Sequence, residues 1–211
     1  MFKDREEAGE LLALKLKKII KGQDFVVVAL LRGGIVLGKK VADYFKIPLV
    51  PLSVKKIGAP SNPELAIGAI TADKTFYFDE NLIDRLGVDG KYLKEMSKAK
   101  AEEAKILQNK FPPLPRLRRA SKVSLEDKKV IIVDDGVATG ATAICASAYV
   151  RKHEAKEIIL ATPIIGKESR GTIKQYFNKI VALKIAQNLG AVGEFYEYFP
   201  QVSDEEAISL T

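Results

Sequence analysis

Short apolar runs alternate along the chain with stretches whose apolar positions recur every three or four residues, the pattern of strands interleaved with helices. Asp4 and Glu7 read as a capping pair that opens a helix, and its apolar positions Ala8, Leu12, Leu16, Ile19 and Ile20 continue as far as Gly22. Phe25 to Leu31 is apolar throughout, as expected of a strand covered on both faces. Arg32-Gly33-Gly34 then makes a tight turn into a helix from Ile35 to Phe45. Ile47 to Val54 supplies the next strand, with Pro48 and Pro51 placing it at an edge or near its start. A strand, a helix and a strand so closely spaced imply a right-handed parallel crossover.

Residues 55 to 66 are rich in turn formers and read as a long flexible loop. Ile67 to Thr71 and Thr75 to Asp79 form a hairpin around Ala72-Asp73-Lys74, with Phe76 and Phe78 on one face. A mixed-charge helix follows from Val88 to Gln108, with a thin apolar stripe of Leu93, Met96 and Ile106. Phe111-Pro112-Pro113-Leu114-Pro115 ends it, and the basic stretch Arg116 to Lys122 is a surface connection. Strands at Val130 to Val133, Ile158 to Pro163 and Ile180 to Ile185 complete the pattern, with helices after Thr142 and from Lys167 to Phe177. The fold class is α/β, a doubly wound parallel sheet. Residues 1–211 read as a single domain, with an inserted hairpin, helix and linker at 74–124 and a C-terminal segment at 186–211.

Composition narrows the setting. No run approaches the roughly 18 apolar residues of a membrane span, and the start Met1-Phe2-Lys3-Asp4-Arg5-Glu6-Glu7 is too charged for a signal peptide. The expected location is the cytoplasm. One cysteine, Cys145, excludes an internal disulfide framework; with a single histidine it also excludes a Cys/His zinc cluster. Cys145 reads as core filler and His153 as helix punctuation. The net charge of +7 favours anionic ligands. Nucleic-acid binding is not expected of Arg116 to Lys122, which lacks interleaved aromatics.

The chemistry is concentrated in Lys129 to Thr142, KVIIVDDGVATGAT. Asp134 and Asp135 fall at the carboxyl end of a buried strand, the edge where α/β sheets bind ligands. Gly136, Val137, Ala138, Thr139, Gly140, Ala141 and Thr142 then lead into a helix, so that amides, helix dipole and hydroxyls can cradle a phosphate. No Lys follows Gly140, so this is not a Walker A loop. Two adjacent acceptor-only carboxylates suit a vicinal diol or a divalent cation. A phosphate and a diol side by side describe a ribose 5-phosphate. Leu31, Arg32 and Gly33 repeat the logic at the end of an earlier strand, as an anion loop or a structural turn. Lys55 and Lys56 read as ligand contacts or as solvated lysines. Phe195 and Tyr196, within the cluster Phe195-Tyr196-Glu197-Tyr198-Phe199, read as a stacking surface or as core.

The 129–142 run resembles the phosphoribosyl pyrophosphate loop of type I phosphoribosyltransferases. Asp4-Arg5-Glu6, Lys56-Ile57-Gly58-Ala59-Pro60, Pro63 to Gly68 and Pro200-Gln201-Val202-Ser203-Asp204-Glu205 extend the likeness, closest to the uncharacterised predicted phosphoribosyltransferases of bacteria and archaea. The resemblance implies a Mg²⁺-dependent pentosyltransferase of nucleotide metabolism that joins phosphoribosyl pyrophosphate to a nitrogen acceptor, a nucleobase of unnamed identity. It assigns the ribose hydroxyls to Asp134 and Asp135, with the metal held directly or indirectly by the same acids, and the 5-phosphate to residues 136 to 142. Leu31, Arg32 and Gly33 would bind pyrophosphate, with a cis peptide between Leu31 and Arg32. Arg32, Lys55 and Lys56 would assist the leaving group from the loop and its lid, and Phe195 and Tyr196 would belong to a small hood over the base. Ala138 departs from the 6-oxopurine members, which carry Asp there, so a hypoxanthine or guanine acceptor is not supported. Relatives of this fold are commonly dimers, and a homodimer is expected. The alternative is a non-catalytic regulator that senses phosphoribosyl pyrophosphate or nucleotide and binds nucleic acid or a protein partner.

Overall fold

The computed structural model describes residues 1–111 and 123–211; the basic stretch Arg116 to Lys122 lies outside the described residues. In chain order the elements are α1 (Arg5–Leu16), β1 (Phe25–Leu30), α2 (Gly33–Phe45), β2 (Leu49–Leu52), β3 (Val54–Ala59), β4 (Asn62–Thr71), β5 (Phe76–Phe78), α3 (Glu80–Leu86) and α4 (Gly90–Asn109). They continue with β6 (Lys129–Val133), α5 (Ala141–Lys152), β7 (Glu157–Gly166), α6 (Lys167–Ile173), β8 (Lys179–Ala186) and α7 (Asp204–Ser209).

Five parallel strands form the main sheet in the order β2-β1-β6-β7-β8. From β1 the chain first crosses to β2 on one side and later returns to β6 on the other, so the strand order reverses between β1 and β6. A crevice at the carboxyl edge is the geometric result. Alternate residues of the strands serve opposite layers. Val27, Ala29, Ile131 and Val133 share one core cluster with Leu12 of α1 and Leu37 of α2. Val26, Val28, Val130 and Ile132 share another with Ile144 and Cys145 of α5. This double coverage explains why β1 and β6 are apolar runs without alternation. Among the described residues no helix is long and apolar enough to cross a membrane.

The start of the chain follows the capping pattern: the Asp4 carboxylate accepts from Glu7 N at 2.9 Å, and Glu7 Oε2 accepts from Lys3 N at 2.6 Å. The helix stops at Leu16 rather than at Gly22. Ile19 and Ile20 fold back in a tight turn, with both amides donating to Leu16 O.

Residues 55–66 are not a loop. They build β3 and the start of β4, an antiparallel pair that continues into β5 as a separate three-stranded sheet. The register shifts on either side of Gly58, where a side chain would collide with the Pro63 backbone. That bulge interrupts the two-residue alternation, and the same glycine and prolines read as turn formers in the sequence. The predicted strand to Val54 is likewise divided at Ser53. The hairpin around Ala72-Asp73-Lys74 is present, and its turn is fastened to α5: Asp73 Oδ2 accepts from Lys152 Nζ at 2.8 Å.

The apolar pattern does not predict α3, which is seven residues long and buries only Ile83. α4 matches the predicted helix, but its inner face is Ala101, Ala104 and Leu107, while Ile106 is 56% exposed. Small residues allow close approach to the sheet, which an apolar-stripe reading overlooks. β7 runs three residues past Pro163, and that extension anchors the 136–142 loop.

Truncating Ile131, fully buried at the sheet centre, is expected to destabilise the protein by about 2–5 kcal/mol. Truncating Ile185, 51% exposed on β8, is expected to change stability by less than about 0.5 kcal/mol. Thermal and denaturant unfolding of the two alanine variants distinguishes them.

Candidate functional site

β1 and β6 pair in register from Phe25↔Lys129 to Ala29↔Val133, so the loops that leave them emerge at the same level. The first loop contains a cis peptide between Leu31 and Arg32 and runs into α2. The second carries Asp134 and Asp135 and runs into α5. The loops meet closely because Gly33 and Gly34 lack side chains. A Cβ at Gly34 would lie 2.6 Å from Val133 O, and one at Gly33 would overlap the Asp135 carboxylate. Between them lies a cleft of about 310 Å³, lined among others by Leu31, Arg32, Gly33, Lys56, Asp134, Asp135, residues 136–140 and Thr142. Hollows of about 890 Å³ beside Gln108 and Tyr149, and about 560 Å³ between Lys15 and Ile185, are larger. Neither joins adjacent carboxylates to a helix-start loop, so the smaller cleft is the candidate site.

The two acids differ. Asp135 Oδ2 accepts from Arg5 Nε at 2.8 Å, and its main-chain carbonyl accepts from Tyr196 Oη at 2.7 Å. Asp134 has no cationic partner within ion-pair distance among the described residues; its Oδ1 accepts only from Asp135 N, at 3.0 Å. Asp134 is half-buried and lines the cleft, and desolvation followed by the Asp135 charge raises its pKa well above the usual carboxylate range. Burial and the Asp135 carboxylate also push the Tyr196 hydroxyl far above the phenol range, which keeps it a donor.

The 136–142 loop is held from behind. Val137 N donates to Ile164 O at 2.9 Å, Gly166 N donates to Val137 O at 3.1 Å, and Ser169 Oγ donates to Ala138 O. Gly140 takes φ +86° at the start of α5, a left-handed conformation that favours glycine. No described group accepts from the amides of Ala138, Thr139, Gly140, Ala141 or Thr142. Unpaired amides at a helix start, with the α5 dipole behind them, are an arrangement that can receive an anion. Ala141 is buried, while Thr139 is exposed and Thr142 half-buried.

Of the lysines at the start of the hairpin, only Lys56 lines the cleft. Lys55 falls on the other face of β3, in a depression with Arg32, Glu103, Lys110 and Asp204. A loop could present both lysines; a strand separates them. Arg32 lies between the two hollows and pairs with Asp204 at 3.1 Å, while Asp204 also accepts from Lys110 at 2.6 Å.

Tyr196 is 5% exposed, stacked on Phe199 at 4.6 Å and packed against Phe2 at 5.4 Å. It supports Asp135 from the core and has no free ring face to offer a base. Phe195 packs against the same core. The cleft wall on that side is made instead by Val192 and Phe199. Burial follows from pairing of the two chain ends: Phe2 N donates to Phe195 O and Glu197 N to Phe2 O, each at 2.8 Å.

Arg5 is the site residue that pattern reading missed as chemistry. The signal available was a basic residue inside the first helical turn, where Asp or Glu is normally favoured.

The phosphoribosyl transferase domain family matches residues 3–198. Two proteins from strains of Mycobacterium tuberculosis, provisionally named phosphoribosyl transferases, are 32% identical over 210 residues, covering 100% of this chain and 46% of theirs. The chain thus spans about half the length of those curated relatives. The crystal structure of the protein TT1426 from Thermus thermophilus superposes with a TM-score of 0.76 at 30% identity, covering 99% of this chain and 96% of that one.

The raised pKa of Asp134 gives a stability test. The folded state holds the Asp134 proton more tightly than the unfolded chain, so this group's contribution is fully present below the unfolded value of about 3.9. It is lost as pH rises through the folded value. Asp134→Asn is therefore expected to raise the melting temperature by a few degrees at pH 7–8 and to have little effect below pH 4. Thermal scans across that range read the difference.

Proposed function

This chain belongs to the phosphoribosyl transferase domain family, and we propose that it transfers the phosphoribosyl group of phosphoribosyl pyrophosphate to a nitrogen acceptor, releasing pyrophosphate. The observation that carries the reading is the pair Asp134 and Asp135, set between two loops at the carboxyl ends of adjacent β1 and β6. A nest for a monophosphate on one side and a glycine turn beside Arg32 on the other match a substrate anionic at both ends and hydroxylated between them.

In the proposed reaction the acceptor nitrogen bonds to C1 of the ribose, while the C1–O bond to pyrophosphate breaks and the electron pair leaves with the pyrophosphate. The amides of residues 138–142 hold the 5-phosphate. Asp134 and Asp135 accept from the ribose hydroxyls and orient C1. Lys56 and Arg32 offset the charge that develops on the leaving group. Arg32 must then exchange Asp204 for the pyrophosphate. Val192 and Phe199 offer an apolar wall for the acceptor.

The acids also fit Mg²⁺. Among the described residues no three or more metal-binding side chains gather, and Mg²⁺ typically takes one or two carboxylates, waters and substrate phosphates rather than an all-protein cage. Asp134, which has no ion-pair partner among the described residues, would hold it together with Asp135, directly or indirectly. The ion would supply charge neutralisation on the pyrophosphate. The acceptor is a small nitrogenous compound; Ala138 supplies no carboxylate base of the oxopurine kind.

Incubation with Mg²⁺, phosphoribosyl pyrophosphate and a panel of nucleobases and amines is expected to release pyrophosphate with one acceptor. Tight donor binding without release for any acceptor would overturn the transfer reading in favour of a phosphoribosyl pyrophosphate sensor. Asp134→Asn combined with Asp135→Asn is expected to abolish donor binding by calorimetry. Lys56→Met should lower kcat by about 10²-fold, whereas Lys55→Met, on the opposite face, should stay within about threefold.

A further inference from the structure

We propose that Arg5 is a positioning residue for the diol-binding acid Asp135, acting on the ligand only through that carboxylate; the inference rests on the donor reading above. Arg5 belongs to the first turn of α1, far from either loop in sequence, yet its side chain is only 10% exposed and reaches the Asp135 carboxylate at the edge of the cleft. Three contacts define it. Nε donates to Asp135 Oδ2 at 2.8 Å, NH1 donates to Pro200 O at 2.6 Å, and the guanidinium lies 3.6 Å from the Phe199 ring centroid. A Cβ at Gly33 would lie 3.2 Å from Arg5 Nε and within the Asp135 carboxylate, so the missing side chain of Gly33 makes room for the ion pair.

Two consequences follow for the ligand. With Oδ2 engaged and the main-chain carbonyl held by Tyr196, Asp135 is fixed at both ends and presents Oδ1 in one orientation. The pair of acids also carries less net negative charge than two adjacent carboxylates would, in a cleft proposed to receive a phosphate and a pyrophosphate. The Pro200 carbonyl and the Phe199 ring engage the rest of the guanidinium, and Arg5 itself does not line the cleft. Lysine could reproduce the charge but not the planar stacking and simultaneous two-way donation.

The test is calorimetric titration of ribose 5-phosphate, and separately of phosphoribosyl pyrophosphate, with Mg²⁺ into native protein, Arg5→Met, Arg5→Lys, Asp135→Asn and the Arg5→Met/Asp135→Asn double variant. Arg5→Met is expected to weaken both ligands by roughly 10- to 100-fold, the scale on which residues behind ligating groups act. Arg5→Lys should fall between native and Arg5→Met. In the Asp135→Asn background the Arg5→Met change should shrink to less than about threefold, because its effect passes through the missing carboxylate. In turnover the loss should appear in KM for the donor rather than in kcat. A purely structural Arg5 would lower the melting temperature and show the same loss in both backgrounds, and that result overturns the proposal. So does native-like affinity in Arg5→Met; both results leave the donor reading intact. If Arg5→Met does not fold, Arg5→Lys carries the test, and native-like affinity there overturns the proposal. Failure of the native protein to bind either ligand removes the donor reading and this inference together.

Discussion

Parallel pairing of β1 with β6 is the constraint on which the site depends. Their register ends at Ala29↔Val133, so one loop with a cis peptide and two glycines and another with two acids and an amide nest leave the sheet at the same height. Parallel strands align carboxyl ends, and reversal of strand order between these two opens the crevice. Antiparallel pairing or a register slip would separate the loops. The two buried faces of the sheet hold that register, because a shift of one residue would exchange the residues that pack on α1 and α2 for those that pack on α5.

Adjacent carboxylates at such a crevice repel each other, and the fold handles them unequally. Asp135 is held by Arg5 and Tyr196, whereas Asp134 has no ion-pair partner among the described residues, and desolvation together with the Asp135 charge disfavours its ionised form. A buried charge without a partner weakens the folded state. The different partners give the two acids different chemical characters although they are neighbours in sequence.

The second constraint is the joining of the chain ends. Phe2, Lys3 and Arg5 reach the aromatic C-terminal segment through backbone pairing with residues 195–198 and through the Arg5 contacts to Phe199 and Pro200. The expected hood is thereby divided in function: Tyr196 supports Asp135 from below, while Val192 and Phe199 face the cleft. The β3–β4 hairpin closes the remaining side and brings Lys56 alone of its two lysines to the acids, and the β4–β5 turn that follows is fastened to α5 through Asp73 and Lys152.

Local chemistry was legible in the sequence because it is written in contiguous residues. An apolar run, two acids, a glycine-bearing loop and a helix start determine β6, the nest and α5 almost without reference to the rest of the chain, and the same holds for β1 and the Leu31–Gly34 turn. The hairpin at 55–66 was not legible, because the bulge at Gly58 interrupts the alternation that signals strands. Lys55 and Lys56 look equivalent in sequence, and only strand geometry puts them on opposite faces. Tyr196 has the look of a stacking surface in sequence, and pairing with Phe2 buries it. Arg5 lies 130 residues from Asp135, and no local rule links positions so far apart. The sequence by itself therefore determined where the two acids and the glycine-bearing loop lie, since adjacent residues on one strand-to-helix turn carry them. Only the tertiary structure decided which acid is held, which lysine faces the cleft and which aromatics are core, because those outcomes depend on side chains brought together by packing between distant elements.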